Sequence, residues 1–572
     1  MSTHPRTLAA LAAVAGLLMG MGAVWALRDT RTLGADPAGQ TSADAPPPSG
    51  VPATLGSPVT RIATDRSAPD PLAIVAHAQT VVLTAPGRTR LQAAHLAHRL
   101  RAPLVVARDR SGGPTARPTG AVDAATATPA AGTNAVTAAL RRLKVQRVVI
   151  VGDADLEQVA RDGGAPEVVR LQPATRRHPS AAALLRWTSG GRAPGARTDP
   201  GFDEAAVKNL LDSRAAAPPR TDVAVLVRPR GATALRVALA ARAVGHTPAA
   251  TAATDVRADP KVVERLSTLP GDAPRVILGG RGMASVADED ILAQTAVAAT
   301  GVQLPGGGQL VIDPQRPQAR RYVGLYGVPH SALLGALGEQ PVAASVVRTR
   351  GLVRAYQRAA GSDVDVMGCF EIIATVAARS AGRDRNFSRE LPVAQLEPAV
   401  QAAERAGMYV LLDIQPGRSD FLTQAKRYRT LLRRPHVGLA LDPEWRLRPR
   451  QKHLEQIGSV GVDEVNAVAD WLAGLTRRNR LPQKMFLIHQ FRLSMVRDRN
   501  RLDTSHDELA HVIQMDGQGP QGSKVGTWQT ITAAPPDGVQ FGWKNFYDED
   551  TPVRTPEATM ALTPAPVFVS YQ

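Results

Sequence analysis

Eight short apolar runs, each closing on polar or acidic residues, follow one another between Arg321 and Gln572, and they constrain the fold more than anything else in the chain. They are RYVGLYG (Arg321–Gly327), DVMGCFEIIA (Asp365–Ala374), MYVLLDIQPG (Met408–Gly417), HVGLALDPEW (His436–Trp445), QKMFLIHQF (Gln483–Phe491), AHVIQMDGQG (Ala510–Gly519), GVQFGWKNFYDED (Gly538–Asp550) and APVFVSYQ (Ala565–Gln572). Runs apolar at consecutive positions suit strands buried on both faces. Helical patterns separate them: SVVRTRGLVRAYQRA after the first, LEPAVQAAERAG after the second, DFLTQAKRYRTLLRRP after the third and VDEVNAVADWLAGLTRRN after the fourth, with LDTSHDELA assigned to the fifth connection. Asp420 and Asp463 are expected N-caps and Gly407 a C′ glycine. Eight β/α units in this length predict a TIM-like (β/α)8 barrel over 309–572. The last two connections are short and no helix follows the eighth run, so the eighth helix is expected to be missing or replaced.

In such a barrel the active site lies at the C-terminal mouths of the strands. Reading those ends in order gives Glu371, Asp413, Asp442 with Glu444 and Trp445, His489 with Gln490, Asp516, and Trp543 with Lys544 and Tyr547; Tyr571 closes the series. One aspartate after a strand is ordinarily a turn or cap residue, whereas carboxylates or imidazole at five successive strand ends indicate a ligand or catalytic site. Glycoside hydrolysis needs a proton-donating acid and a carboxylate nucleophile or base, with aromatic faces to stack on sugar rings. Asp442 and Glu444 in LALDPEW are the expected catalytic pair, with Asp516 as their partner across the mouth. Glu371, Asp413, Trp445, His489, Gln490, Trp543, Lys544, Tyr547 and Tyr571 are the expected substrate-binding set.

Other chemistries compete for these residues. A Schiff base on Lys544 is weaker than a lysine paired with neighbouring acids. An oxygen-rich metal site could draw on Asp413, Asp442, Glu444, His489 and Asp516, but no His-x-His or His-Glu-x-x-His spacing supports zinc. No metal and no cofactor is therefore expected. A serine nucleophile is disfavoured because Gly-x-Ser-x-Gly does not occur. The strings PGRSDFLTQAKRY and LALDPEWRL resemble those of exported actinobacterial barrel proteins that carry an N-terminal wall-binding-type region. That resemblance, from about Tyr322 onward, implies architecture more than activity.

Residues 71–308 alternate β runs with Ala/Leu/Arg helices: TVVLTAPG, LQAAHLAHRL, APLVVA, NAVTAALRRL with Asn134 as its cap, and VQRVVIVGD. The series recurs as DVAVLVRPRG, ALRVALAARAVG, VVERLSTL and APRVILGGRG, which argues for a duplicated, helix-covered parallel sheet. TAPGRTRLQAAHLAHRLRAPLVV, LRRLKVQRVVIVGDADLEQVA and RVILGG resemble cell-wall-binding type 2 repeats. The resemblance implies an anionic wall polymer as partner. The family's acidic-Ala signature is missing, and its Arg-Tyr-x-Thr-Ala element is reduced to ATRRHPSAA (Ala174–Ala182). A spacer that packs and positions is the plainer alternative, and GGRG (Gly279–Gly282) alone is a weak phosphate-loop signal.

Leu8 to Leu27 is free of charge, preceded by His4 and Arg6 and followed by Arg28. Such a run serves as a signal peptide or a membrane anchor, with Val24-Trp25-Ala26 a passable cleavage site, so 1–28 are read as a leader and the rest as extracytoplasmic. Residues 29–70, rich in Pro, Ala and Gly, are read as a disordered linker. A single cysteine, Cys369, excludes an internal disulfide framework and a Cys-based zinc cluster. The net charge of +17 comes from 60 arginines and 8 lysines against 51 acids. Without a dense basic block or aromatic-interleaved patch, it reads as arginine-rich composition and not as a nucleic-acid surface. The expectation is a secreted or membrane-anchored, cell-wall-associated protein, glycoside-hydrolase-like and acting on an envelope polysaccharide. The alternative is a non-catalytic saccharide-binding surface protein. Oligomeric state is not readable from the sequence.

Overall fold

The computed structural model describes 285–572 throughout and, before them, 59–62, 75, 78–87, 89–107, 133–152, 156–212, 223–229, 232–269 and 275–280. The expected leader, most of the expected linker, and Arg281 and Gly282 of GGRG lie outside the described residues. Among the described residues no helix is long and apolar enough to cross a membrane. The chain forms two compact units that divide between Gly301 and Val302.

The first unit holds two four-stranded parallel sheets. Strands β1 (Val59–Ile62), β2 (Thr80–Thr84), β3 (Leu104–Val106), β4 (Arg147–Val151), β5 (Glu167–Leu171), β6 (Val223–Val227), β7 (Pro248–Ala250) and β8 (Arg275–Gly279) follow in the chain. The sheet orders are β3-β2-β4-β5 and β7-β6-β8-β1. Both sheets thus place their strands in the same arrangement, with β1 in the position that β5 holds in the first. The central strands TVVLT, RVVIV and VAVLV are β-branched and buried, as a sheet covered on both faces requires. Ser180 caps the helix Ala181–Thr188, its Oγ accepting from the Ala183 N–H at 3.1 Å. Asn134 lies inside the helix Thr133–Arg142 and does not cap it. Val59–Ile62 correct the linker reading: they pair in parallel register with Val276–Gly279. Val59 and Ile62 are buried, so this β-branched tetrapeptide gains both ladder bonds and apolar cover.

The second unit is a closed barrel of eight parallel strands. These are β9 (Arg320–Gly327), β10 (Asp365–Ala377), β12 (Tyr409–Ile414), β13 (Val437–Leu441), β15 (Lys484–His489), β17 (Leu509–Met515), β18 (Gln540–Asn545) and β19 (Phe568–Tyr571), the last pairing back onto β9. Short β11 (Ser388–Glu390) runs antiparallel to the end of β10, and β14 (Val460–Gly461) pairs with β16 (Val496–Arg497) outside the barrel. Helices Val342–Ala360, Val393–Arg405, Phe421–Arg427 with Arg429–Leu432, Val462–Arg478, Gln521–Thr532 and Pro556–Met560 cover it. Leu502–Ala510 form a loop that enters β17, so the helical pattern seen in LDTSHDELA does not materialise. Val342–Ala360 and Pro556–Met560 pack against each other, and Tyr356 on the first meets the Tyr571 hydroxyl at 2.9 Å.

Asp420 caps its helix, accepting from the Thr423 N–H at 2.7 Å, and Gly407 takes the left-handed conformation that ends the preceding one (φ +67°). Asp463 does not cap. Gly461 holds that position and Asp463 lies in the first turn, where its charge still favours the helix dipole.

Strand alternation sorts every barrel residue into the interior or the helix layer. Cys369, Tyr409, Leu411, Ala440, Met485, Leu487, Val512 and Phe568 form the apolar floor of the interior. Their neighbours Phe370, Leu412, Leu439, Leu441, Phe486, Ile488, Ile513 and Trp543 join the core under the helices. One turn of the pleat above the floor, the inward positions become polar.

Candidate active site at the barrel mouth

That polar layer comprises Tyr326 on β9, Glu371 on β10, Asp413 on β12, Asp442 after β13, His489 on β15, Gln514 on β17 with Asp516 after it, and Lys544 on β18. All are nearly or wholly shielded from solvent, and Glu444 beside them, in the turn Pro443–Trp445, is half-buried. Proline at 443 starts that turn directly after Asp442, folding two acids of one short segment toward the same opening.

His489 lies at the centre. Its Nδ1 is 3.0 Å from Asp516 Oδ2, and its Nε2 is 3.0 Å from Glu371 Oε1 and 3.7 Å from Asp413 Oδ1. Burial works to lower its pKa, but Glu371 and Asp516 raise it well above the ordinary histidine value, which favours the charged ring. Asp413 accepts from the Tyr326 hydroxyl at 3.0 Å, and Gln415 donates to that hydroxyl at 3.0 Å. Lys544 Nζ lies 3.2 Å from the centre of the Tyr326 ring.

The third group is Asp442, Glu444 and Asp516, one oxygen of each lying within 4.8 Å of the others. Burial and the charge of Asp516 push Glu444 up to about 8; burial and Glu444 push Asp442 well above the carboxylate range. Burial and Glu371 raise Asp413 to about 6, with His489 and Lys544 pulling the other way. The mouth therefore holds protonated and ionised carboxyls side by side at neutral pH, the condition for general acid–base work. Asp442, Glu444 and Asp516 are also the buried group here that could hold a metal ion. Arg446, a conceivable partner for these acids, is turned to Glu464 at 3.0 Å.

The structure thus brings together Glu371, Asp413, Asp442, Glu444, His489, Asp516 and Lys544. It does not bring the remaining expected residues into the interior. Gln490 points to the fifth loop, accepting from Arg499 at 3.0 Å and donating to the Leu493 carbonyl. Trp543 and Tyr571 face the helix layer: the indole packs on Trp528 with ring centroids 5.7 Å apart, and Tyr571 meets Tyr356. Tyr547 stacks on Tyr571 under the Arg348 guanidinium. Trp445 stands at the rim, edge-on to His453 at 5.3 Å. Tyr326, Gln415 and Gln514 belong to the site and were not singled out from the sequence. Counting back by two from Asp516 would have found Gln514, and carrying the layer of Glu371 across to β9 would have found Tyr326.

No family model matches the chain, and comparison with curated proteins finds no relative.

Proposed function

We propose that the barrel is a glycoside-hydrolase-like enzyme that acts on an envelope glycan by carboxylate chemistry. The observation that carries this reading is the meeting of Asp442, Glu444 and Asp516 within 4.8 Å at one mouth of a closed barrel. Separations of ~5 Å suit a nucleophilic carboxylate opposite an acid, whereas inverting chemistry leaves ~6.5–9.5 Å for a water. Retention of configuration is the expected outcome. Glu444 is the proton donor in this scheme, since crowding by Asp516 keeps its proton in place at neutral pH. Asp516, 3.0 Å from His489 Nδ1, is the partner carboxylate. Lys544 and Tyr326 bind hydroxyls or an anionic substituent. With Trp543 and Tyr571 outside the interior, Trp445 at the rim is the one expected aromatic placed to stack on a sugar.

Under the same reading the chain is exported by its apolar leader, and the N-terminal unit serves as a wall-binding-type module that positions the barrel. The alternative of saccharide binding without turnover requires acids locked in ion pairs; the engagement of Arg446 with Glu464 speaks against it. The test is incubation of the full chain with purified wall and capsular glycans, alongside Glu444→Gln and Asp442→Asn. Release of reducing ends by the wild type and its loss in both variants is expected. Absent turnover, or turnover untouched by both changes, refutes the catalytic assignment.

A further inference from the structure

We propose that Asp442, Glu444 and Asp516 form a binding site for a hard divalent cation. This rests on reading the barrel mouth as the working site and adds an inorganic ligand to it. The three carboxylates offer one oxygen each, all within 4.8 Å of one another, so they can converge on a single ion. They supply oxygen alone and no thiolate, which selects a hard cation.

A second observation points to a ligand. Buried polar atoms are nearly always paired. Here Oδ1 of Asp442 and Oδ1 of Asp516 have no hydrogen-bond partner in the protein, although the residues are only 2 % and 7 % exposed. Asp413 is wholly buried, and its Oδ1 likewise has no hydrogen-bond partner, while its charge is felt by both Asp442 and Glu444. One dication would satisfy Oδ1 of Asp442 and Oδ1 of Asp516, which have no protein donor. His489 holds the other oxygen of Asp516, the orienting role that a neighbour of a metal ligand ordinarily plays. A cation on these three would occupy Glu444, so the cation-bound mouth and proton donation by Glu444 exclude one another.

The experiment is equilibrium dialysis of the full chain against calcium chloride, with magnesium chloride in parallel. Saturation at one calcium per chain below about 1 mM, the weak end of oxygen-ligand sites, is expected. Asp442→Asn and Asp516→Asn should each weaken binding at least tenfold, and Glu444→Gln, at the half-buried rim, provides a variant least prone to misfolding. Asp470→Asn, in the surface group Asp470, Asp503 and His506, should leave binding unchanged. No binding by about 1 mM, or loss on Asp470→Asn alone, overturns the proposal. Calcium binding without glycan turnover upholds it while sinking the enzyme reading. Turnover in chelator without calcium binding does the reverse.

Discussion

Lys524 and Asp550 form an ion pair sealed between the barrel and its helix layer, and breaking it should cost more than any other single polar change in the barrel unit. The pair is 2.5 Å apart, with side chains 1 % and 0 % exposed. Lys524 Nζ also donates to the Lys544 carbonyl at 2.8 Å, tying down the end of β18. Asp550 accepts from the N–H groups of Phe546 and Gly519 at 3.0 and 3.1 Å. Burial lowers Lys524 from 10.5 to about 8 even with Asp550 beside it. At ~1.4 kcal/mol per pKa unit, the ammonium is held in place at a cost of roughly 3 kcal/mol. Lys524→Met removes that cost but leaves a carboxylate buried with two backbone donors; stranding one partner typically destabilises by ~3–5 kcal/mol. Lys524→Met/Asp550→Asn removes both charges and should recover about half or more of the loss. Urea unfolding followed by tryptophan fluorescence reads this locally, because Trp528 and Trp543 flank the pair. A loss below about 1 kcal/mol in Lys524→Met, or a double variant as weak as the sum of the singles, would refute the reasoning.

Tyr326→Phe deletes the hydroxyl shared by Asp413 and Gln415, and should destabilise by ~1.5–3 kcal/mol, the range for a hydrogen bond to a charged group. Glycan turnover should fall with it; an unchanged melting temperature would contradict the assigned contact. Trp543→Phe should lower stability by ~1–3 kcal/mol yet spare turnover, since the indole faces the helices. A large fall in kcat at normal stability would place it in the mouth after all. His511 is lowered by burial to about 4, so the unfolded chain binds its proton first as pH falls below 6.5. Stability is therefore intact above pH 6.5 and declines toward pH 4 by up to ~3 kcal/mol, a slope His511→Gln should flatten in unfolding titrations at stepped pH.

The barrel was legible because its strands are buried on both faces and so appear as unbroken apolar runs ending where the interior turns polar. All eight runs contain an observed strand. What the runs conceal is direction. Trp543 and Lys544 are adjacent, both follow apolar residues, and they point to opposite sides of the wall. A strand apolar on both faces carries no alternation from which to assign inside and outside; only a partner of known facing, such as Tyr326 under Lys544, fixes it. Asp463 was misjudged for a similar reason, since two candidate starts two residues apart look alike before the chain direction is known. The tetrapeptide Val59–Ile62 escaped notice because so short a strand has no pattern of its own until an edge such as β8 accepts it.

That tetrapeptide also determines how the first unit bears load. Strands β1 and β8 run parallel through a four-residue register, one near the start of the unit and the other near its end. A pull on the chain before β1, resisted by the chain after β8, slides the two strands lengthwise and strains all their hydrogen bonds together instead of peeling them singly. The pair acts as a shear clamp that short-circuits the covalent path between Ile62 and Arg275. Tension along the chain would then reach the intervening strands and helices only after the clamp had yielded.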